Sequence, residues 1–431
     1  MESKDGRQQN SRRSWRHAKA AAFVLLSVGF LGAALAADMK TESPVASLVK
    51  LNLKFDGAKT CAAASCHGGT EPGKSPHGLN TYTLWSGKDP HRGAYDILGN
   101  DESKKIAGAM SIADATKSEN CLSCHATNVP ESLQGKDFAV DEGNSCTTCH
   151  GPTQKWLEAH STEGWTEGQR KAAGAPAFGY ETKLLASQGL YDTKSLVFRA
   201  ERCASCHLSI DATLVKAGHP VPYFELDYFS NPNVYADRHW KDGTEPYFNT
   251  KQWASGQIVA VRDAFRQLAL RASGGADDEA VKSAYEQAMS HAHALKASGL
   301  AADVVAKAMD VKMGDKAAMA TAATAVSAAA EAAFPAVAGY TPSKADTLKA
   351  ASALANDADL TALGIHGVEQ QAYGLLALYN AYSISEKAPD SETGPVNDAI
   401  GKLFTPLDKA TRGKMDGYAD ALKDVAGKLP K

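Results

Sequence analysis

The eight cysteines fall into four pairs, Cys61/Cys66, Cys121/Cys124, Cys146/Cys149 and Cys203/Cys206. Each second cysteine is followed at once by a histidine: His67, His125, His150 and His207. Three pairs read Cys-x-x-Cys-His, and the first is wider, Cys61-Ala-Ala-Ala-Ser-Cys66-His67. This spacing carries a definite chemistry. Two thiols so placed reach the two vinyl groups of one porphyrin as thioethers, and the adjacent imidazole turns onto the iron as its proximal ligand. Four copies that use every cysteine point to four covalently attached haem c groups. The longer first gap still brings both sulfurs to one ring. Disulfides in an oxidising compartment and paired zinc knuckles are the rival uses. Neither requires a histidine after every second cysteine.

An iron held by one histidine needs a sixth ligand for fast electron transfer. A second histidine is the usual choice in an exported low-potential carrier, whereas methionine raises the potential. Five further histidines lie in the same region: His77, His91, His160, His219 and His239. They are the candidate distal ligands, against a need for three or four. His291, His293 and His366 lie later. The first two are two residues apart, so they diverge around a helix, and all three read as surface histidines. Trp85, Trp156, Tyr95, Tyr223 and Trp240 read as walls against the macrocycles. No catalytic residue is indicated.

The order of these elements resembles the cytochrome c-554 family of tetrahaem cytochromes. Trp85 and the run Asp89-Pro90-His91-Arg92-Gly93-Ala94-Tyr95 stand where the family carries a Trp and a ligand histidine. Gly143-Asn144-Ser145-Cys146-Thr147-Thr148-Cys149-His150-Gly151-Pro152 and Glu201-Arg202-Cys203-Ala204-Ser205-Cys206-His207-Leu208 match its third and fourth motifs. The resemblance covers roughly 60–250 and departs at the wide first motif. It implies that His91 serves the fourth haem, His160 the first, and His219 or His239 the third. In founding members the second haem is open on one side. Whether it is open here is not fixed by the residues, since His77 or the spare member of the His219/His239 pair is available to close it.

These residues need elements to hold them. Residues 37–250 are rich in Gly, Pro, Asn and Asp and poor in helical periodicity. That predicts a loop-rich haem domain with short helices at the motifs, the macrocycles supplying much of its core. From Gln252 the chain turns Ala-rich. Ile258, Val261, Phe265 and Leu268 share one helical face, Gly274-Gly275 stops that helix, and Asp277 caps the next. An Ala run ends at Phe334-Pro335, Thr341-Pro342 reads as a helix start, and Asp390, Ser391, Gly394 and Pro395 read as a loop. The fold class is mainly α, with residues 251–431 a helical bundle.

Residues 1–36 read as a secretory signal: basic residues to Lys19, an apolar stretch to Leu35, and Ala34-Leu35-Ala36 as cleavage site. An uncleaved membrane anchor is the rival. Export places the protein in the periplasm, with a mature chain that does not span the membrane. The net charge is −3 and becomes −7 once that segment is removed. No nucleic-acid footprint is visible. The expected partners are redox protein donors and acceptors, a membrane quinone-linked cytochrome among them. The expected role is electron transfer between such partners rather than catalysis. The alternative is a haem oxidoreductase acting on nitric oxide, hydroxylamine, nitrite or a sulfur species at an open haem. A sensory role for the bundle is a third reading.

Overall fold

The computed structural model describes residues 45–70, 80–158, 160, 188–230, 245–408 and 410–430. The signal segment, His77, His239 and Trp240 lie outside them. Among the described residues there is no β-strand, only an isolated bridge between Phe55 and Gln134.

The first half is short helices in loop. After a single helical turn at Ala46–Val49 they are α1 (Thr81–Lys88), α2 (Asp101–Ala109), α3 (Glu119–His125), α4 (Cys146–His150), α5 (Leu196–His207), α6 (Ala212–Lys216) and α7 (Leu226–Ser230). Three of them end on a motif histidine, so the second, third and fourth Cys-x-x-Cys-His runs are each helical. The first lies in a 3-10 turn, Ala58–Cys61, and the loop after it. Buried loop needs its backbone paired. Phe55 N–H donates to Leu133 O, Gly135 N–H to Phe55 O, and Thr153 N–H to Lys54 O. These bonds stitch the approaches to the first and third motifs together.

The second half is α8 (Phe248–Ser273), α9 (Asp278–Ser298), α10 (Ala302–Met309), α11 (Lys316–Ala338), α12 (Lys344–Ala355), α13 (Ile365–Glu386), α14 (Asp390–Lys402) and α15 (Tyr418–Lys428). In α8 the Ile258, Val261, Phe265 and Leu268 face is fully buried. Each such side chain contributes about 1.5–3 kcal/mol by leaving water. Asp277 caps α9 through a bond from Ala280 N–H. One hydrophobic core spans the expected boundary at 250, joining Val197, Phe198, Leu208, Phe224 and Leu226 to Ile258, Phe265, Ala288 and Val326.

Several local readings are corrected. The segment read as a loop at Asp390–Pro395 opens α14, because acidic residues near an N-terminus favour the helix dipole. The start read at Thr341-Pro342 is Ser343, in a capping box with Asp346. Helix α11 continues past Pro335 to Ala338. His291, His293 and His366 are buried, not surface. Partners from other helices accept or meet their rings: Gln257 at 2.9 Å from His291 Nδ1, Asp357 at 2.8 Å from His293 Nδ1, and Ser283 at 3.5 Å from His366 Nε2. Burial, helped by nearby His366, lowers the His291 pKa to about 3 and keeps that ring neutral.

Helix α11 is long and apolar enough to cross a membrane, with mean hydropathy 1.3. Here it lies along α8 and buries Met319, Ala323, Val326, Ala330, Phe334 and Val337.

Candidate functional site

The motif histidines do not stand alone. His67 faces His160 with ring centres 6.2 Å apart and planes 9° from parallel. His91 faces His207 at 6.0 Å with planes crossed at 88°. His125 faces His219 at 6.3 Å and 77°. Two imidazoles sharing one metal, each bonded at about 2.0 Å with roughly 1.1 Å from nitrogen to ring centre, stand about 6.2 Å apart. All three pairs fall at that separation.

The far nitrogen of five rings is also held. His67 Nδ1 lies 2.9 Å from Thr81 Oγ1, and His125 Nδ1 lies 2.9 Å from Ala94 O. His91 Nδ1 meets Asp89 Oδ1 at 2.8 Å, and His219 Nδ1 meets Pro220 O at 2.8 Å. His160 Nδ1 bonds to Leu157 O. An Nδ1–H that donates to an oxygen leaves Nε2 as the lone-pair nitrogen, the arrangement found in metal-bound histidines. Burial, with His219 nearby, lowers the pKa of His125 and favours the neutral ring a metal requires.

The local sequence explains these positions. Asp89 caps the turn Pro90–Gly93 by accepting from His91 N–H at 3.0 Å, so one carboxylate fixes both the backbone and the ring of His91. Gly143 has φ +70° and packs on that same turn. A Cβ there would lie 2.5 Å from His91 O and 2.7 Å from Arg92 O. The glycine of the third motif is thus required by the approach of the His91 turn. Trp85 is buried with Nε1–H donating to Asn144 O at 3.0 Å. Trp156 is buried, its ring centre 5.2 Å from that of His160 and the two planes crossed at 87°. Tyr223 stacks on Tyr373 of the bundle at 5.4 Å.

The motifs also meet one another. The Cys61 and Cys146 thiols are hydrogen-bond neighbours, as are Cys124 and Cys206. The first motif therefore adjoins the third, and the second adjoins the fourth. None of the eight cysteines, Cys61, Cys66, Cys121, Cys124, Cys146, Cys149, Cys203 and Cys206, is in a disulfide. Burial pushes the Cys149 thiol up to about 12. Two buried polar atoms beside the motifs lack a hydrogen-bond partner, Asn144 Oδ1 and Arg202 Nε. A carboxylate on a bound group would satisfy the Arg202 donor.

Residues 59–151 match the family described as cytochrome c554 and c-prime.

The cytochrome c554 resemblance read from the motifs is thereby found over the first three of them, and this part of the chain is a haem c electron-transfer domain. The fourth motif and the bundle lie beyond the matched residues. No curated protein and no solved structure matches the chain. The thiol pairs, paired imidazoles, bonded Nδ1 atoms and orphaned Arg202 all fit a covalently held haem.

The c554 resemblance offered His219 for the third haem or, as the spare member of the His219/His239 pair, for the second, and the structure sets it opposite His125 of the second motif. Proximity in the chain to the fourth motif does not decide this. After α6 the chain turns at Gly218, with φ +103°, and brings His219 to α3. Sequence reasoning also passed over the roles of Asp89, Thr81 and Arg202. The spacing Asp-Pro-His was the available signal for the first of these.

Proposed function

We propose that the protein is an exported periplasmic carrier that holds four haem c groups and passes electrons between redox protein partners. The three imidazole pairs at 6.0, 6.2 and 6.3 Å carry this reading. His67/His160, His91/His207 and His125/His219 would each grip one iron from both sides. His150 would take the fourth, with His239 or His77 as the remaining candidates for its far side. Bound haem supplies a reversible one-electron couple at each site.

The chain's own residues do the rest. The bonded Nδ1 atoms hold His67, His91, His125, His160 and His219 in the tautomer that presents Nε2. Trp85 and Trp156 fill space beside the sites and keep water out. Arg202 would offer a charge to a haem carboxylate. The carrier reading is favoured over an enzyme because His219 occupies the position opposite His125. That is the position an open second haem would leave to a small substrate.

The test is haem stoichiometry by iron analysis and intact mass of the matured protein, with the ferric EPR spectrum. Four haems with predominantly low-spin iron are expected. A colourless matured protein, or cysteines found free, would overturn the reading.

A further inference from the structure

We infer that the helical bundle is a clamp for the segment that carries His219, and that Gln267, Gln287 and Gln370 position that imidazole against its iron. The inference rests on the reading of His125 and His219 as ligands of one haem.

Residues 208–230 follow α5 and have little helix of their own beyond α6 and α7. Such a strap would be mobile unless something held it. The bundle holds it on both sides of His219. Before the histidine, Ile210 N–H donates to Gln267 Oε1 at 2.8 Å, and Arg271 Nη2 donates to Ile210 O at 3.0 Å. After it, Gln287 Nε2 donates to Pro222 O at 3.2 Å and Gln370 Nε2 to Phe224 O at 3.2 Å. Further on, Asn249 Nδ2 and Gln252 Nε2 both donate to Asp227 Oδ1, at 2.8 and 3.2 Å. Leu226 closes on α8 at Gly256, where a Cβ would lie 2.7 Å from the Leu226 Cβ.

The clamping amides are joined to each other. Gln267 Nε2 donates to Gln287 Oε1 at 2.9 Å, and Gln257 Nε2 donates to Gln370 Oε1 at 2.9 Å. His291 Nδ1 lies 2.9 Å from Gln257 Oε1. Each of Gln267, Gln287 and Gln370 thus uses one end of its amide on the strap and the other on a neighbouring glutamine. All three are buried. Buried amides cost solvation that apolar side chains would not. What they return here is register: a strap carbonyl that slips by one residue loses its partner inside the core. The same strap brings Phe229 to 4.8 Å from His207, so its far end also rests on the fourth motif.

The experiment uses the full-length matured protein and compares Gln287→Met, Gln370→Met and His219→Ala. Carbon monoxide binding to the reduced protein and the ferric EPR spectrum are read together with haem content. His219→Ala should convert one haem to a high-spin, carbon-monoxide-reactive form. Each glutamine variant should keep its haem content and leave the other imidazole pairs low-spin. It should raise the carbon-monoxide-reactive population by about tenfold, the weight of one net hydrogen bond. If His219→Ala opens a haem while both glutamine variants stay inert, the clamp is refuted and the ligand reading stands. If His219→Ala leaves every haem low-spin and inert, the ligand reading fails and the clamp falls with it. Should the glutamine variants not mature, hydrogen exchange on the unaltered protein decides. Amides 208–230 should exchange as slowly as those of α8, and exchange at loop rates overturns the proposal.

Discussion

Replacing Asp89 by Asn should raise the reduction potential of the His91/His207 site. The carboxylate meets His91 Nδ1 at 2.8 Å, with Asp89 side chain only 12% and His91 43% exposed. A hydrogen bond to a charged group contributes about 1.5–3 kcal/mol when sheltered. Half-exposure of the ring screens part of that. The carboxylate makes the imidazole a stronger donor and favours the more positive, oxidised iron. Loss of its charge should weaken that preference by about tenfold, and for a one-electron couple tenfold is about 59 mV. Asn retains an oxygen that can accept from His91 N–H, so the cap survives and the shift reports charge alone. Asp89→Ala removes the cap, about 0.5–2 kcal/mol, and also the ring's hydrogen bond, so it lowers Tm and moves the midpoint at least as far as Asn does. The assay is a spectroelectrochemical titration followed by EPR on the low-spin signal of this site. If Asp89→Asn leaves every midpoint where it was while all sites stay low-spin, the carboxylate does not tune an iron through His91.

Ferric EPR should separate the sites by ring orientation. Near-parallel rings at His67/His160 (9°) split the iron d orbitals strongly and give a rhombic signal, whereas the crossed rings at 77° and 88° give highly anisotropic ones. A spectrum with rhombic signals alone would contradict the crossed pairs. Gly143→Ala should cost about 2–4 kcal/mol through its left-handed backbone and its overlap with the His91 turn, and should yield high-spin iron at one site. Unchanged Tm and an unchanged spectrum would show that the turn does not press on that glycine. Glu225 is wholly buried, and burial together with Asp227 raises its pKa to about 8 from an ordinary 4.5. Between those values the folded protein holds a proton that the unfolded chain has lost, so stability falls as pH rises through this window and levels off above it. Denaturant unfolding at about pH 5 and about pH 9 should show that loss, and Glu225→Gln should flatten it. A variant with the same slope would assign the effect elsewhere.

What could be seen in the residues follows from how local each interaction is. A thioether pair and its histidine occupy consecutive positions, so their chemistry shows at once. The α8 face shows because Ile258, Val261, Phe265 and Leu268 differ sharply from their neighbours. His291 and His293 were misread because alanine surrounds them, and His366 because the polar run Glu369-Gln370-Gln371 after it reads as an exposed face. An Ala-rich helix has no polar face to contrast with, and their partners Gln257, Asp357 and Ser283 come from other helices. Asp390 to Pro395 was misread because the residues that break a helix are also those that begin one. The opposition of His219 to His125 is set by a turn at Gly218 and by a clamp built from helices more than thirty residues further on. No spacing rule within the motifs records it.

The three facing ring pairs have a topological consequence. His67 to His160, His91 to His207 and His125 to His219 delimit stretches of about a hundred residues each, and every stretch begins before the previous one has closed. Shared metals there would act like interlocked links rather than beads on a string. No link can be completed until chain well past the next tether is available, and none can be opened without slackening the others. Maturation of the first half should therefore finish in a single late step, and damage at any one link should spread to all.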